Sequence, residues 1–330
     1  MTYGTALRIS TIVLSKVLIL LAWMSFAGPS ATQNSQLSIT NALSQQGSEP
    51  QQQKPLQLKR VHVNGVDLHY VESGKGITVV FVHGGLDDYR MWQSQIEPFA
   101  KRYRVIAYSR RYNYPNKNRY IRPDHSAIVE AEDLAALIRK LKLGRVHVVG
   151  YSYGALTALF LGVKHPELVR TLVLAEPPVL RWAEDRPEGR TLFNGFMEDM
   201  WKPTGDALRR GEKEKAMRIT LRYFTGEDVF DQIPEAQRRY WMENMKEWKA
   251  LTTSRDAFPA LPRSDVKSMR IPVMMLSGSR SLEILKFVDS EIEPLLSNGE
   301  RVVLPNATHE MWAEQPEECR RMVLAFLARH

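Results

Sequence analysis

Cysteine is nearly absent from this chain: Cys319 stands alone among 330 residues. One thiol cannot close an internal disulfide, and it excludes zinc sites built from several cysteines. Cys319 lies in ECRRMVLAFLARH, a helix-like stretch with no histidine placed behind it to activate a thiolate, so it reads as packing. Long apolar runs are also missing. The longest, from Ile9, is broken by Lys16, and a membrane-spanning helix needs about 20 apolar residues. No block of one charge occurs either. The formal net charge of +8 comes from 45 basic and 37 acidic residues scattered along the chain. Nothing resembles a reading helix or an aromatic-plus-basic platform, so nucleic-acid recognition is not indicated and only loose attraction to anionic surfaces remains. The rest is ordinary, with 44% hydrophobic and 25% charged residues, enough to bury a real core.

The N-terminus carries a pattern of its own. Arg8 and Lys16 precede an apolar run, Val17 to Ala27, of the length of a signal h-region. Ser25-Phe26-Ala27 sets small residues at −3 and −1 of a cleavage site after Ala27. The reading is an export signal over residues 1–27, giving a periplasmic or secreted protein; the rival is an uncleaved membrane anchor. A large core needs no disulfide in an oxidising space. Residues 28–57 are rich in Gln, Ser and Asn and read as a disordered tether.

Structure is expected from residue 58. KRVHVNGVDLHYVESG alternates apolar and polar residues around Asn64-Gly65, a hairpin signal. Strands are expected at Ile77–Val82, Tyr103–Tyr108, Val146–Gly150, Leu172–Ala175, Val273–Leu276 and Val302–Leu304. Helices are expected over Ser126–Leu141, from Ser152 to Lys164, and from Pro316. Alternating strands and helices imply an α/β fold with a mainly parallel sheet covered on both faces. Residues 178–270 break the rhythm. They hold no convincing strand, many helix formers and interspersed aromatics (Trp182, Phe193, Phe196, Trp201, Tyr223, Phe224, Tyr240 and Trp241), and read as a helical cap inserted between a core of 58–177 and 271–330.

Gly150-Tyr151-Ser152-Tyr153-Gly154 sits between the strand VHVVG and a helix. In that context a G-x-S-x-G pattern places the serine on a strained turn that exposes its hydroxyl, with a helix N-terminus beside developing negative charge. The plainer reading is a Gly-rich turn with a helix-capping serine. His83-Gly84-Gly85 follows ITVVFV, where a loop can aim a backbone N–H at a substrate oxygen. His83 itself reads as a buried brace rather than a base. His309, a few residues past the last strand, returns to the edge that presents Ser152 and is the candidate base; His125 is a weak competitor.

From about residue 58 onward the chain resembles the α/β-hydrolase superfamily, through HGG at 83–85, GYSYG at 150–154 and His309-x4-Glu314-x-Pro316. The resemblance implies Ser152 as nucleophile, Gly85 and Tyr153 as oxyanion donors, and His309 as base. It implies neither metal nor organic cofactor, and it names no substrate. Two stretches depart from the pattern. Tyr108-Ser109-Arg110-Arg111-Tyr112 replaces an Asp-x-Arg-Gly-like loop, with Arg110 and Arg111 expected to brace it. Gly278-Ser279-Arg280-Ser281 replaces the Gly-x-x-Asp of the usual acid loop, and Ser281 cannot orient an imidazolium as a carboxylate does.

The triad acid is therefore expected to be Glu176, directly after the strand TLVLA, an arrangement similar to that of some haloalkane dehalogenases; Glu283 and Asp289 compete. The expected activity is hydrolysis of a small apolar carboxylic ester, a small-molecule substrate, through an acyl-enzyme. The alternatives are another bond (lactone, amide or carbon–carbon), perhydrolysis, or a ligand-binding or inactive relative.

Overall fold

The computed structural model describes residues 56–119 and 121–330. The segments read as signal, 1–27, and all but the last two residues of the tether, 28–57, lie outside the described residues. Among the described residues, no helix is long and apolar enough to cross a membrane.

Eight strands form one sheet: β1 (Lys59–Val63), β2 (Val66–Ser73), β3 (Thr78–Val82), β4 (Arg104–Tyr108), β5 (Val146–Tyr151), β6 (Val169–Ala175), β7 (Val273–Gly278) and β8 (Gly299–Leu304). Their order is β1-β2-β4-β3-β5-β6-β7-β8. β1 pairs with β2, and β2 with β4, antiparallel; every later pairing is parallel. This is the mainly parallel α/β sheet expected from the sequence. Asn64 and Gly65 make the first turn with φ of 46° and 74°, the positive values that an Asn-Gly hairpin turn requires.

The central strands are apolar at nearly every position because both faces are covered. On β3, Val80 and Val82 join one hydrophobic cluster while Val79 and Phe81 join another on the opposite face. The first face is covered by α2 (Ala127–Lys140) and α3 (Tyr153–Lys164), the second by α1 (Gln93–Ala100) and α12 (Pro316–Leu327). α10 (Glu283–Ile292) follows β7, and the short α11 (Met311–Glu314) precedes α12. The Trp92 and Trp312 rings meet edge to face at 5.0 Å in the second cluster.

Between β6 and β7 the chain builds only helices. The α-helices there are α4 (Pro187–Phe196), α5 (Lys202–Arg209), α6 (Lys213–Thr225), α7 (Glu235–Glu243), α8 (Met245–Thr252) and α9 (Arg263–Ser268). Together with the C-terminal ends of the central strands, several of them wall a cavity.

The sequence underestimated some lengths. β6 begins at Val169 rather than Leu172, and β8 at Gly299 rather than Val302. Edge strand β8 is mostly half-buried or exposed, so its first residues, Gly299-Glu300-Arg301, carry no apolar signal. β3 and β4 each start one residue later than expected.

Candidate active site

The turn after β5 is built by sterics. A Cβ on Gly150 would come 2.6 Å from the Gly154 carbonyl oxygen, and one on Gly154 would come 2.3 Å from the carbonyl oxygens of Val82 and His83. Only glycine fits at either place. Between them Ser152 takes φ 52°, ψ −123°, a strained conformation for a residue with a side chain. Its N–H donates to the Ala175 carbonyl at 2.8 Å, tying the turn to the end of β6. Its hydroxyl does not cap α3. Instead Ser152 Oγ lies 3.0 Å from His309 Nε2.

His309 follows β8 on a loop held by Glu314, whose carboxylate accepts from Thr308 N–H at 2.7 Å and from Thr308 Oγ1 at 2.8 Å. The imidazole packs against the rings of Tyr151 (centroids 4.9 Å apart) and Phe224 of α6 (5.9 Å). Its Nδ1 stands 2.5 Å from Glu176 Oε2. With Nδ1–H donating to that carboxylate, Nε2 is left to accept from the Ser152 hydroxyl. Burial works against charging this ring, but the hydrogen bond and negative charge of Glu176 outweigh it and raise the His309 pKa above its ordinary value.

Glu176 leaves β6 with φ 49° and is fully buried. Gly278 N–H donates to its Oε1 at 2.7 Å, and Ser281 Oγ–H donates to Oε2 at 2.7 Å. The loop whose sequence lacks a carboxylate thus supplies donors to one. Neither competitor for the acid is hydrogen-bonded to His309, whose ring bonds are to Glu176 and Ser152. Asp289 accepts from Ser277 Oγ at 2.5 Å, and burial raises its pKa to about 8. Glu283 lies on the surface, paired with Lys286.

Gly85 and Tyr153 line the cavity beside Ser152. Gly85 is confined, since a Cβ there would lie 2.8 Å from the Trp248 ring. His83 is fully buried. Its Nδ1 lies 2.9 Å from the Gly84 carbonyl, and its Nε2 accepts the Arg110 N–H at 3.0 Å. Burial first, then the nearby Arg110 charge, hold its pKa well below normal, so the ring is a neutral brace. His125 is also fully buried, 3.1 Å from Glu130. Arg110 and Arg111 are internal braces, paired with Glu247 and Asp133 respectively.

The cavity measures about 530 Å³. Of the interspersed cap aromatics, Phe196, Trp201, Tyr223, Phe224 and Trp241 line it; Trp182, Phe193 and Tyr240 do not. Trp182 is buried, its Nε1–H donating to the Leu261 carbonyl at 2.7 Å. The sequence does not single out two further lining rings, Trp248 and Phe258, nor Leu282, Ile284 and Leu285 past the acid loop. A faint signal existed for the last group: apolar Leu282, Ile284 and Leu285 around the first turn of a helix leaving a sheet edge. Among the described residues no group of three or more His, Cys, Asp or Glu side chains is placed to hold a metal ion.

A serine, a histidine and a carboxylate in line on an α/β sheet, the first two lining an apolar cavity, are the arrangement of an α/β hydrolase. The chain belongs to that family: the family model described as "Alpha/beta hydrolase family" matches residues 79–322. Similar proteins include the (E)-2-((N-methylformamido)methylene)succinate hydrolase of Acinetobacter baylyi, 24% identical over 83% of this chain and 97% of that one. A carboxylesterase of Bacillus subtilis is 26% identical over 78% of this chain and 83% of its own length. A thermophilic esterase from Thermogutta terrifontis, solved with malate bound, shares the fold with a TM-score of 0.64 at 20% identity, covering 83% and 98% of the two chains. The chain is accordingly a hydrolase of the α/β type.

Proposed function

We propose that this hydrolase is a serine esterase: Ser152 is the nucleophile, His309 the general base, Glu176 the acid, and Gly85 and Tyr153 the oxyanion donors. The observation that carries the reading is the continuous line from Ser152 Oγ through His309 to Glu176, at 3.0 Å and 2.5 Å. As Oγ attacks an ester carbonyl, its proton passes to Nε2. The carbonyl electrons move onto oxygen, and the two backbone N–H groups donate hydrogen bonds to the oxyanion. His309 then gives the proton to the leaving alkoxide, freeing the alcohol and leaving the acyl group on Ser152. Water, losing a proton to Nε2, attacks the acyl carbonyl, and the collapsing intermediate expels Ser152, which recovers the proton. No step asks for a metal or an organic cofactor.

The cavity's apolar lining favours a small-molecule ester whose acyl or alcohol group is itself apolar. Chromogenic esters of rising acyl length, run beside the matching anilides and a set of lactones, test this. Esters with apolar acyl groups should turn over with the highest kcat/KM. Turnover confined to the anilides or lactones would replace the reading with one for that bond.

We also read residues 1–27 as an export signal, on the strength of Arg8 and Lys16 ahead of the Val17–Ala27 run. Intact mass of protein from the cell envelope should begin after Ala27. A full-length species that needs detergent would mark an anchor instead.

A further inference from the structure

The catalytic line explains neither of two groups buried beside it. Glu247, on cap helix α8, and Arg110, on the loop after β4, are both fully buried and form an ion pair at 2.7 Å. Each reaches past the other to the backbone of the 83–86 loop. Arg110 Nη2 donates to the Gly84 carbonyl at 2.9 Å, and its Nε to the His83 carbonyl at 3.2 Å. Glu247 Oε2 accepts the Leu86 N–H at 3.1 Å. Arg110 is steadied from its other side by Glu130 at 3.3 Å.

These contacts fall on the two peptide units that flank Gly85. The Gly84 carbonyl and the Gly85 N–H belong to one planar trans unit, so they point in opposite directions. A guanidinium holding the carbonyl therefore turns the N–H the other way. The next unit ends in the Leu86 N–H, which Glu247 holds. A Gly-Gly sequence has little preference of its own. Leu86 sits at φ 59°, a value a leucine keeps only when its surroundings impose it. Trp248, next to Glu247 on α8, closes the remaining space over Gly85.

We propose that Glu247 is a positioning residue for the oxyanion hole: through Leu86 directly, and through Arg110 and Gly84, it fixes the plane of both peptides around Gly85 and makes that geometry depend on the seating of the cap. The proposal rests on the reading of Ser152 as nucleophile and Gly85 as oxyanion donor. Its chemistry is conformational, since Glu247 touches no reacting atom. The cap then does more than shape the cavity. A cap lifted from the core takes Glu247 with it and leaves the Gly84–Gly85 peptide free to turn.

The test is Glu247→Gln in the full chain. The amide keeps the shape, but its NH2 must face either the guanidinium or the Leu86 N–H, donor against donor, so one of the two ties is lost. An oxyanion donor acts mainly in the transition state, so kcat should fall while KM stays within about twofold. Removing such a donor outright costs about 10²–10³-fold, and a loosened one should cost on the order of 10–10². A trifluoromethyl ketone, whose adduct carries an oxyanion, should lose affinity by a similar factor, while a non-reacting apolar competitor should not. Rates are expressed per site labelled by a fluorophosphonate, with folding checked by circular dichroism. If the glutamine variant does not fold, Glu247→Asp, which keeps the charge but shortens the reach to Leu86, carries the same comparison.

Wild-type labelling is read first. Its absence overturns the nucleophile and this proposal together. With wild type labelled, a folded variant whose kcat and ketone affinity are unchanged, whatever its melting temperature, overturns the role of Glu247 alone.

Discussion

Glu176 and His309 are 133 positions apart in the chain, yet the carboxylate and the imidazole meet at 2.5 Å. The contact forms because β6 and β8 flank β7, so the loops leaving their C-terminal ends converge. Glu176 is spent on this contact and on two donors, Gly278 at the end of β7 and Ser281 just after it. A carboxylate so held fixes the tautomer of the ring and favours its charged form. Glu176→Gln should therefore lower kcat/KM about 10²–10⁴-fold on a good ester. Glu283→Gln should leave it near wild type. Ser281→Ala, which removes one donor to Glu176, should fall between them. Collapse of Glu283→Gln with an active Glu176→Gln would move the acid elsewhere.

The pH dependence has a defined sign. In the proposed mechanism His309 must be neutral to accept the Ser152 proton, and Glu176 raises its pKa against the opposing effect of burial. The rising limb of kcat/KM should thus have its midpoint above 6.5, the ordinary imidazole value. In Glu176→Gln, burial acts without its main opponent, and the residual activity should rise at lower pH than in wild type. A pH–rate profile of both proteins checks this. A midpoint below 6.5 in wild type, or an unmoved limb in the variant, contradicts it.

Asp289 gives a prediction about stability. In the folded protein, burial raises its pKa from 3.8 to about 8. Between those values the folded chain holds a proton that the unfolded chain has released. Stability from this group is therefore greatest at low pH and declines as pH rises from about 4 to about 8. Asp289→Asn removes the decline while keeping an acceptor for the Ser277 hydroxyl. Its melting temperature relative to wild type should climb with pH, reaching a gain of a few degrees by pH 8 if about 1 kcal/mol is recovered. Thermal melts at pH 5 and pH 8 measure it. A larger gain at pH 5 would reverse the sign and refute the assignment.

What the sequence disclosed follows the range of the interactions. The Ser152 turn is local: two glycines, a strand before and a helix after, all within a few positions of one another. The Asn64-Gly65 hairpin is local in the same way. Glu176 was legible indirectly, because Ser281 stands where a carboxylate was expected and a second strand end carries one. The partners of Glu176 were not, since nothing in Gly278-Ser279-Arg280-Ser281 announces that its hydroxyl and amide will turn toward β6. Glu247 was illegible altogether. It lies in MKEWKALT, where a glutamate between lysines looks like a solvent-facing charge, and only the folded cap brings it against Arg110, 137 positions away. Trp248 and Phe258 were hidden for the related reason that an isolated aromatic does not say which wall it will line.

The proposed mechanism depends on the reactivity of one hydroxyl. Purified protein treated with a fluorophosphonate and analysed by intact and peptide mass should gain one adduct, on Ser152, at a rate that rises as His309 loses its proton. Ser152→Ala, folded by circular dichroism, should gain none and should lose ester turnover. An adduct on another residue, or a Ser152→Ala protein that still turns over esters at a substantial rate, would contradict the assignment of Ser152 as the nucleophile.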